Sequence, residues 1–407
     1  MTSIVILKIK EICVIAVWTM VSFKHLTFII VLFSVLVSCK GFGTNTVSEV
    51  SLVETSDTVC FNIPPDVRTY NHSFQVFTDT DGKEYATFLN RRTAQIFMYD
   101  IAGGEPVKII NYHKEGPDGI GTVYSHYMKS WNEFLIPGQN RTIYILDSCA
   151  AIREKMDFSQ VEGVTGFESY AFNPFVIIGD TLYGYQSLRR GTDHCLQDSP
   201  TEIALNLKTK EFVHSPNLSS DEIKNYLIGK NVTQSEVGMI YKCLNGKSLV
   251  YSFAYNEDLI VMSMDFKDVS YKKAVSKYIG QLKIPDYPES MDFDERCRQT
   301  CTNPYYGQIV YDPYRKYYYR FAYPRTELEN HTENWYDLTQ SGRDEFSIII
   351  LDEDLNVIGE TMFPRDRFRS NLYFVCKDGF YISCNHYKNP GYTDDAFQFV
   401  KFEVKGM

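Results

Sequence analysis

The sequence predicts an all-β protein: a β-propeller of six blades, closed by a strand from the N-terminus. Three observations carry this. First, one phrase recurs, a run of apolar residues ending in an acidic residue or Asn and followed by a turn and a second short strand. It reads Ile96–Asp100, Ile143–Asp147, Ile203–Asn206, Leu259–Asp265 and Ile348–Asp352. A strand–turn–strand unit repeating along a chain is the mark of a radial β architecture. Second, Tyr (30) and Phe (27) are abundant, which favours strands. No long stretch of the mature chain keeps a helical apolar period. Third, turn pairs fall between the apolar runs: Asp81-Gly82, Asn245-Gly246, Asp312-Pro313 and Asp378-Gly379.

The N-terminus reads as an export signal. Lys24 precedes an apolar run from Leu26 to Val37, a charge-then-core layout too short for a comfortable membrane span. It ends in Leu36-Val37-Ser38-Cys39, the form of a bacterial lipobox, which makes 1–38 the signal peptide and Cys39 the lipidated first mature residue. Met20 to Cys39 is a complete signal by itself, so Met20 is a candidate start. An uncleaved anchor helix is the alternative, which the apolar stretch Ile12–Val17 supports. Lys40 follows the Cys, and the absence of Asp there favours the outer membrane. Residues 39–57 hold the lipidated Cys and a linker, with a single propeller domain over 47–407.

Strand sets of three or four follow. The first is Phe74–Thr78, Glu84–Leu89, Gln95–Ile101 and Val107–Asn111. The second is Val123–Met128, Glu133–Pro137, Thr142–Asp147 and Ala151–Met156. The third is Phe175–Ile178, Thr181–Gln186, Glu202–Leu207 and Glu211–His214. The fourth is Gly238–Cys243, Ser248–Tyr255, Leu259–Asp265 and Tyr271–Val275. The fifth is Tyr306–Tyr311, Lys316–Tyr323, Phe346–Asp352 and Val357–Met362. The last, Asn371–Cys376, Gly379–Asn385 and Ala396–Val404, has only three strands. A closed propeller borrows the missing outer strand from the N-terminus, here Val47–Val53 or Thr58–Ile63. The phrase recurs at 47, 59 and 59 residues from Asp100 to Asp265, then at 87 to Asp352. The excess sits in Lys277–Thr302 and Arg325–Arg343. Seven blades is the alternative if Lys277–Thr302 holds strands, and a β-sandwich pair is the rival architecture.

The lipobox, the repeated phrase, Glu115-Gly116-Pro117-Asp118-Gly119 and Arg320-Phe321-Ala322-Tyr323-Pro324-Arg325 resemble the exported lipoproteins of Bacteroidetes with an NHL-like six-bladed propeller, the domain-of-unknown-function-4221 family. The resemblance covers Val47 to the C-terminus. It implies a propeller and a cell-envelope location, and it brings no catalytic residues.

Charge and cysteines narrow the partners. The formal charge is −10, and removal of the signal takes it to −12. An acidic body argues against nucleic acid and against non-specific binding to an anionic membrane, leaving the lipid anchor as the membrane contact. Eight Cys follow Cys39, and an exported chain permits disulfides. Cys297 and Cys301 are the candidate pair. Cys376 and Cys384 flank the Asp378-Gly379 turn, and a two-residue hairpin there sets Cys376 opposite Tyr381. No CxxC, HxxH, HExxH, GxSxG or Walker loop occurs, so no metal, cofactor or catalytic motif is expected. Gly116, Gly119 and Gly121 read as a turn.

The propeller places its long segments on one face, where Arg and aromatic residues gather. The candidate ligand-binding residues are Arg189, Arg190, Arg320, Tyr323, Arg325, Trp335, Arg343, Arg367, His386 and Tyr392. Arg with aromatics on an acidic protein suits a small anionic ligand, a glycan or an envelope protein. The bland alternative is that these Arg pair with the many carboxylates. The functional reading is a binding module on the cell envelope. The alternatives are a hydrolase or lyase acting on a glycan or peptide at the channel mouth, whose constellation needs no linear motif, and a purely structural subunit of an envelope complex.

Overall fold

The structure, a computed structural model, describes residues 49–406 except 70, 140, 165, 168, 187–199, 222–239, 286–289, 328–334, 336–338 and 340–341. The signal segment, Met20 and Cys39 lie outside the described residues.

Four sheets of four antiparallel strands follow one another. The first holds β2 (Gln75–Thr78), β3 (Glu84–Asn90), β4 (Gln95–Asp100) and β5 (Lys108–Asn111). The second holds β6 (Tyr127–Ser130), β7 (Glu133–Gly138), β8 (Thr142–Leu146) and β9 (Ile152–Asp157). The third holds β10 (Val176–Ile178), β11 (Thr181–Tyr185), β12 (Glu202–Asn206) and β13 (Phe212–His214). The fourth holds β14 (Ile240–Leu244), β15 (Ser248–Phe253), β16 (Asp258–Ser263) and β17 (Val269–Lys273).

The rest is one eight-stranded sheet, which corrects the expectation of six separate blades. It contains β18 (Tyr305–Asp312), β19 (Tyr317–Tyr323), β20 (Ser347–Leu351) and β21 (Val357–Met362), then β1 (Val50–Asn62), β24 (Ala396–Gly406), β23 (Phe380–Ser383) and β22 (Arg369–Val375). β1 runs through both segments expected to supply the closing strand. It pairs antiparallel with β24 from Val50↔Gly406 to Asn62↔Ala396, with a register shift between Glu54 and Thr58. On its other side a parallel bridge, Val50↔Gly359, joins it to β21. A Cβ at Gly359 would collide with the Val50 carbonyl, so this approach requires glycine.

The repeated phrase is the third strand of each set, and its terminal residue has a definite task. Asp147 Oδ1 accepts from the amides of Cys149 (2.8 Å) and Ala151 (3.1 Å). Asp352 Oδ1 does the same for Asp354 (3.0 Å) and Asn356 (2.8 Å). Asn206 serves Lys208 and Thr209, and Asp100 serves Ala102. A short polar side chain thus satisfies turn amides that no ladder reaches. Middle strands such as β3 and β20 are buried along their whole length, whereas outer strands such as β17 are largely exposed.

Among the described residues, six clusters of buried side chains link successive strand sets. Phe77 and Ile96 pack with Phe134 and Ile136. Leu135 and Ile145 pack with Leu182 and Leu205. Tyr183 and Ala204 meet Leu249 and Ile260. Val250 and Leu259 meet Ile309 and Ile349. Phe321 and Ile348 share a cluster with Phe380 and Val400. The last returns to the start: Phe374 and Phe399 pack on Phe74 and Phe88. The packing is therefore circular, as in a propeller.

Two local expectations are corrected. The described part of Lys277–Thr302 holds no strand; it holds a helix, α1 (Phe293–Thr302). Asp292 caps it by accepting from the Glu295 amide at 2.8 Å, and Asp294 and Glu295 sit favourably at its positive end. The loop between β22 and β23 is Lys377-Asp378, closed by Cys376 N to Gly379 O at 3.0 Å. Phe374, not Cys376, therefore faces Tyr381.

Candidate functional site

The chain between β17 and β18 builds a groove of about 490 Å³. One wall is the segment after β17, carrying Tyr278, Gln281 and Lys283. The opposite wall is the C-terminal half of α1, with Arg298, Gln299 and Thr302. Asn303, Pro304, Pro324 and Arg325 complete it.

Both walls are fixed from beneath by buried groups. Glu360 on β21 accepts from Ser276 Oγ (2.6 Å) and from the Lys277 amide (2.6 Å). Ser276 Oγ in turn accepts from the Tyr278 amide at 3.0 Å, and the Tyr306 hydroxyl accepts from the Ser276 amide at 3.0 Å. On the other side Arg343 donates to the carbonyls of Thr300 (3.0 Å), Asn303 (2.8 Å) and Pro324 (2.7 Å), and to Thr326 Oγ1 (3.0 Å). A planar guanidinium with five donors can join a helix end to a strand exit in this way. The groove is thus held by protein bonds before any ligand arrives.

Its charge is positive on an acidic body. Arg298 forms a bidentate pair with Glu295 (2.6 and 2.5 Å), which shifts the Glu295 carboxyl down. Lys283 and Arg325 are exposed and carry no ion pair among the described residues.

The segment Ser169–Asn173 ties residues of the first and fourth sheets together. Ala171 N donates to His72 O (3.0 Å), Gln75 Nε2 donates to Ser169 O (3.1 Å), and Lys242 N donates to Phe172 O (3.0 Å). Those partners lie beside the first and fourth sheets. His72, Tyr170, Phe172 and Tyr241 form a chain of ring contacts 5.3–6.3 Å apart. Burial, with the charges of Arg369 and Arg91, pushes the His72 imidazole down to about 4.

The candidate residues scatter, and Arg325 is the one that lines the groove. Arg320, Tyr323 and Arg343 do not face a ligand, because they are buried and spent on protein groups. Arg320 donates to Ser252 Oγ and to three carbonyls of the fourth sheet's loops. Tyr323 donates to Gln308 Oε1 at 2.8 Å. Arg367 pairs with Glu54. The Tyr392 hydroxyl bonds Asp394 and Thr69 Oγ1. Trp335 is half-buried, with its carbonyl 4.0 Å from Cys301 Sγ. Arg189 and Arg190 lie outside the described residues. The candidate pair Cys297 and Cys301 is not joined by a disulfide; both side chains are buried on one face of α1, four residues apart.

His386 belongs to a cluster that carried no linear signal. Its Nε2 donates to Asp344 Oδ1 at 3.0 Å and its Nδ1 accepts from the Lys388 amide at 3.3 Å. Both ring nitrogens are spent, which leaves no free base. Burial pushes the Asp344 carboxyl up, but the His386 hydrogen bond and the charges of Lys388 and Arg365 overcome it and hold the group low. Asp344, Asp366 and His386 place donor atoms within 4.8 Å of one another, a set that could hold a metal. The Lys388 ammonium lies 3.7 Å from Asp344 and 3.6 Å from Asp366, so a tethered cation already serves both carboxylates.

Comparison with known proteins agrees with the fold. The family model "Domain of unknown function (DUF4221)" matches residues 49–362. A crystal structure of a member of that family from Bacteroides vulgatus is 25% identical, with a TM-score of 0.75 over 89% of this chain and 100% of that one. A structure described as a putative exported protein from Bacteroides fragilis is 9% identical, with a TM-score of 0.52 over 89% of this chain and 97% of that one. No curated protein matches the chain.

Proposed function

The chain belongs to the DUF4221 family, and from that premise we propose that it is a binding module whose ligand site is the groove between Tyr278, α1 and Arg325. One observation carries this reading: two cations, Lys283 and Arg325, stand in a prebuilt cavity without ion pairs among the described residues. Its volume falls in the range of small-molecule sites. The ligand is anionic. Calorimetric titration of the full chain in detergent with inorganic phosphate and with citrate tests it. Saturable binding that disappears in Lys283→Ala/Arg325→Ala is the expected result; saturable binding that persists unchanged in that variant overturns it.

The eight-stranded sheet has two antiparallel halves, β18–β21 and β1 with β22–β24. The link between β21 and β1 is a single parallel bridge, whereas every neighbouring pair within either half is antiparallel. The lipobox ending in Cys39 supports export and a lipid anchor on the cell envelope, probed by detergent-phase partitioning of Cys39→Ala. Continued attachment of that variant would point to an anchor helix. Among the described residues, no helix is long and apolar enough to cross a membrane.

A further inference from the structure

We infer that the groove accepts an acidic sugar, a saccharide bearing a carboxylate or sulfate. This rests on the groove being the binding site. Three kinds of group converge there, and each asks for a different part of a ligand. Lys283 and Arg325 ask for negative charge, and Arg is suited to bidentate pairing with a planar or tetrahedral oxyanion. Gln281 and Asn303 bring side-chain amides, which both donate and accept, as hydroxyl groups require. Tyr278 keeps 43% of its surface exposed at the rim, held in place through Ser276 and Glu360. An aromatic face of that size gains most by covering the apolar face of a ring.

A bare phosphate would use the cations and leave Tyr278 idle. An acidic peptide would use the cations too. A run of acidic residues carries no ring for Tyr278 to cover, and among the described residues no open strand edge lines the groove for strand addition: its walls are a coil segment, a helix and a strand exit. Pro304 and Pro324 stiffen the lining, so the site discriminates by shape rather than by remodelling.

The test is calorimetric titration of the full chain, purified in detergent. The probes are trigalacturonate, a chondroitin sulfate tetrasaccharide, neutral maltotriose, tetraglutamate and inorganic phosphate. At least one acidic saccharide should bind about tenfold tighter than each of the other three probes. Tyr278→Ala should weaken that saccharide about tenfold more than it weakens phosphate, with Tyr278→Phe restoring it. Phosphate or tetraglutamate binding as tightly as the acidic saccharides overturns the sugar assignment and leaves the groove as a plain anion or acidic-peptide site. Maltotriose matching them also overturns it. Failure of every probe, phosphate included, overturns the groove itself.

Discussion

The guanidinium of Arg320 lies 3.7 Å from the centroid of the Tyr306 ring, and its nitrogens reach into the fourth sheet. It donates to Asn256 O (2.6 Å), Glu257 O (2.7 Å), Ala274 O (2.8 Å) and Ser252 Oγ (3.0 Å). One side chain on β19 therefore satisfies carbonyls at the turns of a neighbouring blade. Arg369 and Arg315 repeat the device, to Thr69 O and to the carbonyls of Cys376 and Lys377. Arg320→Ala should strand three carbonyls and open a cavity, at a cost of about 3–5 kcal/mol. Arg320→Lys should recover little, because one ammonium cannot span the fork. Urea unfolding measures both, and a wild-type midpoint for Arg320→Ala would refute the account.

The third and fourth sheets are joined by a different device, a buried ion pair. Lys242 and Glu202 are both fully buried and bonded to each other, and the Tyr251 hydroxyl donates to Glu202 at 3.1 Å. Burial lowers the lysine and raises the carboxyl, and their mutual attraction opposes both shifts. Lys242→Met alone should cost about 3–5 kcal/mol, since it leaves a lone buried carboxylate. Lys242→Met/Glu202→Leu should recover most of that loss. A double variant no more stable than the single one would show that the pair, and not merely its balance, holds the sheets.

Much of this fold is legible in the sequence, for a physical reason. Asp147 and Asp352 end similar phrases, carry similar tails and bond the amides at the same two offsets, with Ala150 and Leu355 in the left-handed region three residues on. One turn geometry selects one sequence pattern each time it recurs. The buried arginines are not legible, because the groups that receive Arg320 lie 46 to 68 residues away. Alone, such an Arg reads as a surface charge. α1 also escapes, since its buried face is two cysteines in a polar stretch. The groove needs α1, so of its cations only Arg325 stands out beforehand, through the loop it begins.

Acid should destabilise the protein through histidine before the carboxylates titrate. His126 is fully buried with Nε2 2.9 Å from Thr87 Oγ1, and burial pushes its imidazole down to about 3. Its folded value lies below the ordinary 6.5, so the unfolded chain takes up the proton first. Stability is full above about pH 6.5, falls as pH drops, and this loss is complete near pH 3. The slope from His126 approaches about 1.4 kcal/mol per pH unit. His72 adds to it down to about 4. Urea midpoints between pH 6.5 and 4 should fall less steeply in His126→Gln, and parallel curves would rule out the histidine as cause.

Closure of the ring should depend on a position with no side chain. Gly359 lets β1 approach β21 closely enough for the Val50↔Gly359 bridge, and Leu52 N then donates to Thr361 Oγ1 at 2.7 Å. Any larger residue must push the Val50 carbonyl, and β1 with it, away from β21, yet the pairing of β1 with β24 does not involve position 359. Gly359→Val should therefore cost about 1–3 kcal/mol from overpacking without unfolding the domain. Deletion of residues 47–63 is more severe, because it exposes β24 along its length and removes Leu52 and Phe61 from two inter-sheet clusters. Hydrogen exchange separates the two cases. In Gly359→Val, protection should fall at Val50–Leu52 and persist at Val59–Phe61. Equal loss along the whole of β1 would mean that the bridge, not the pairing with β24, closes the ring.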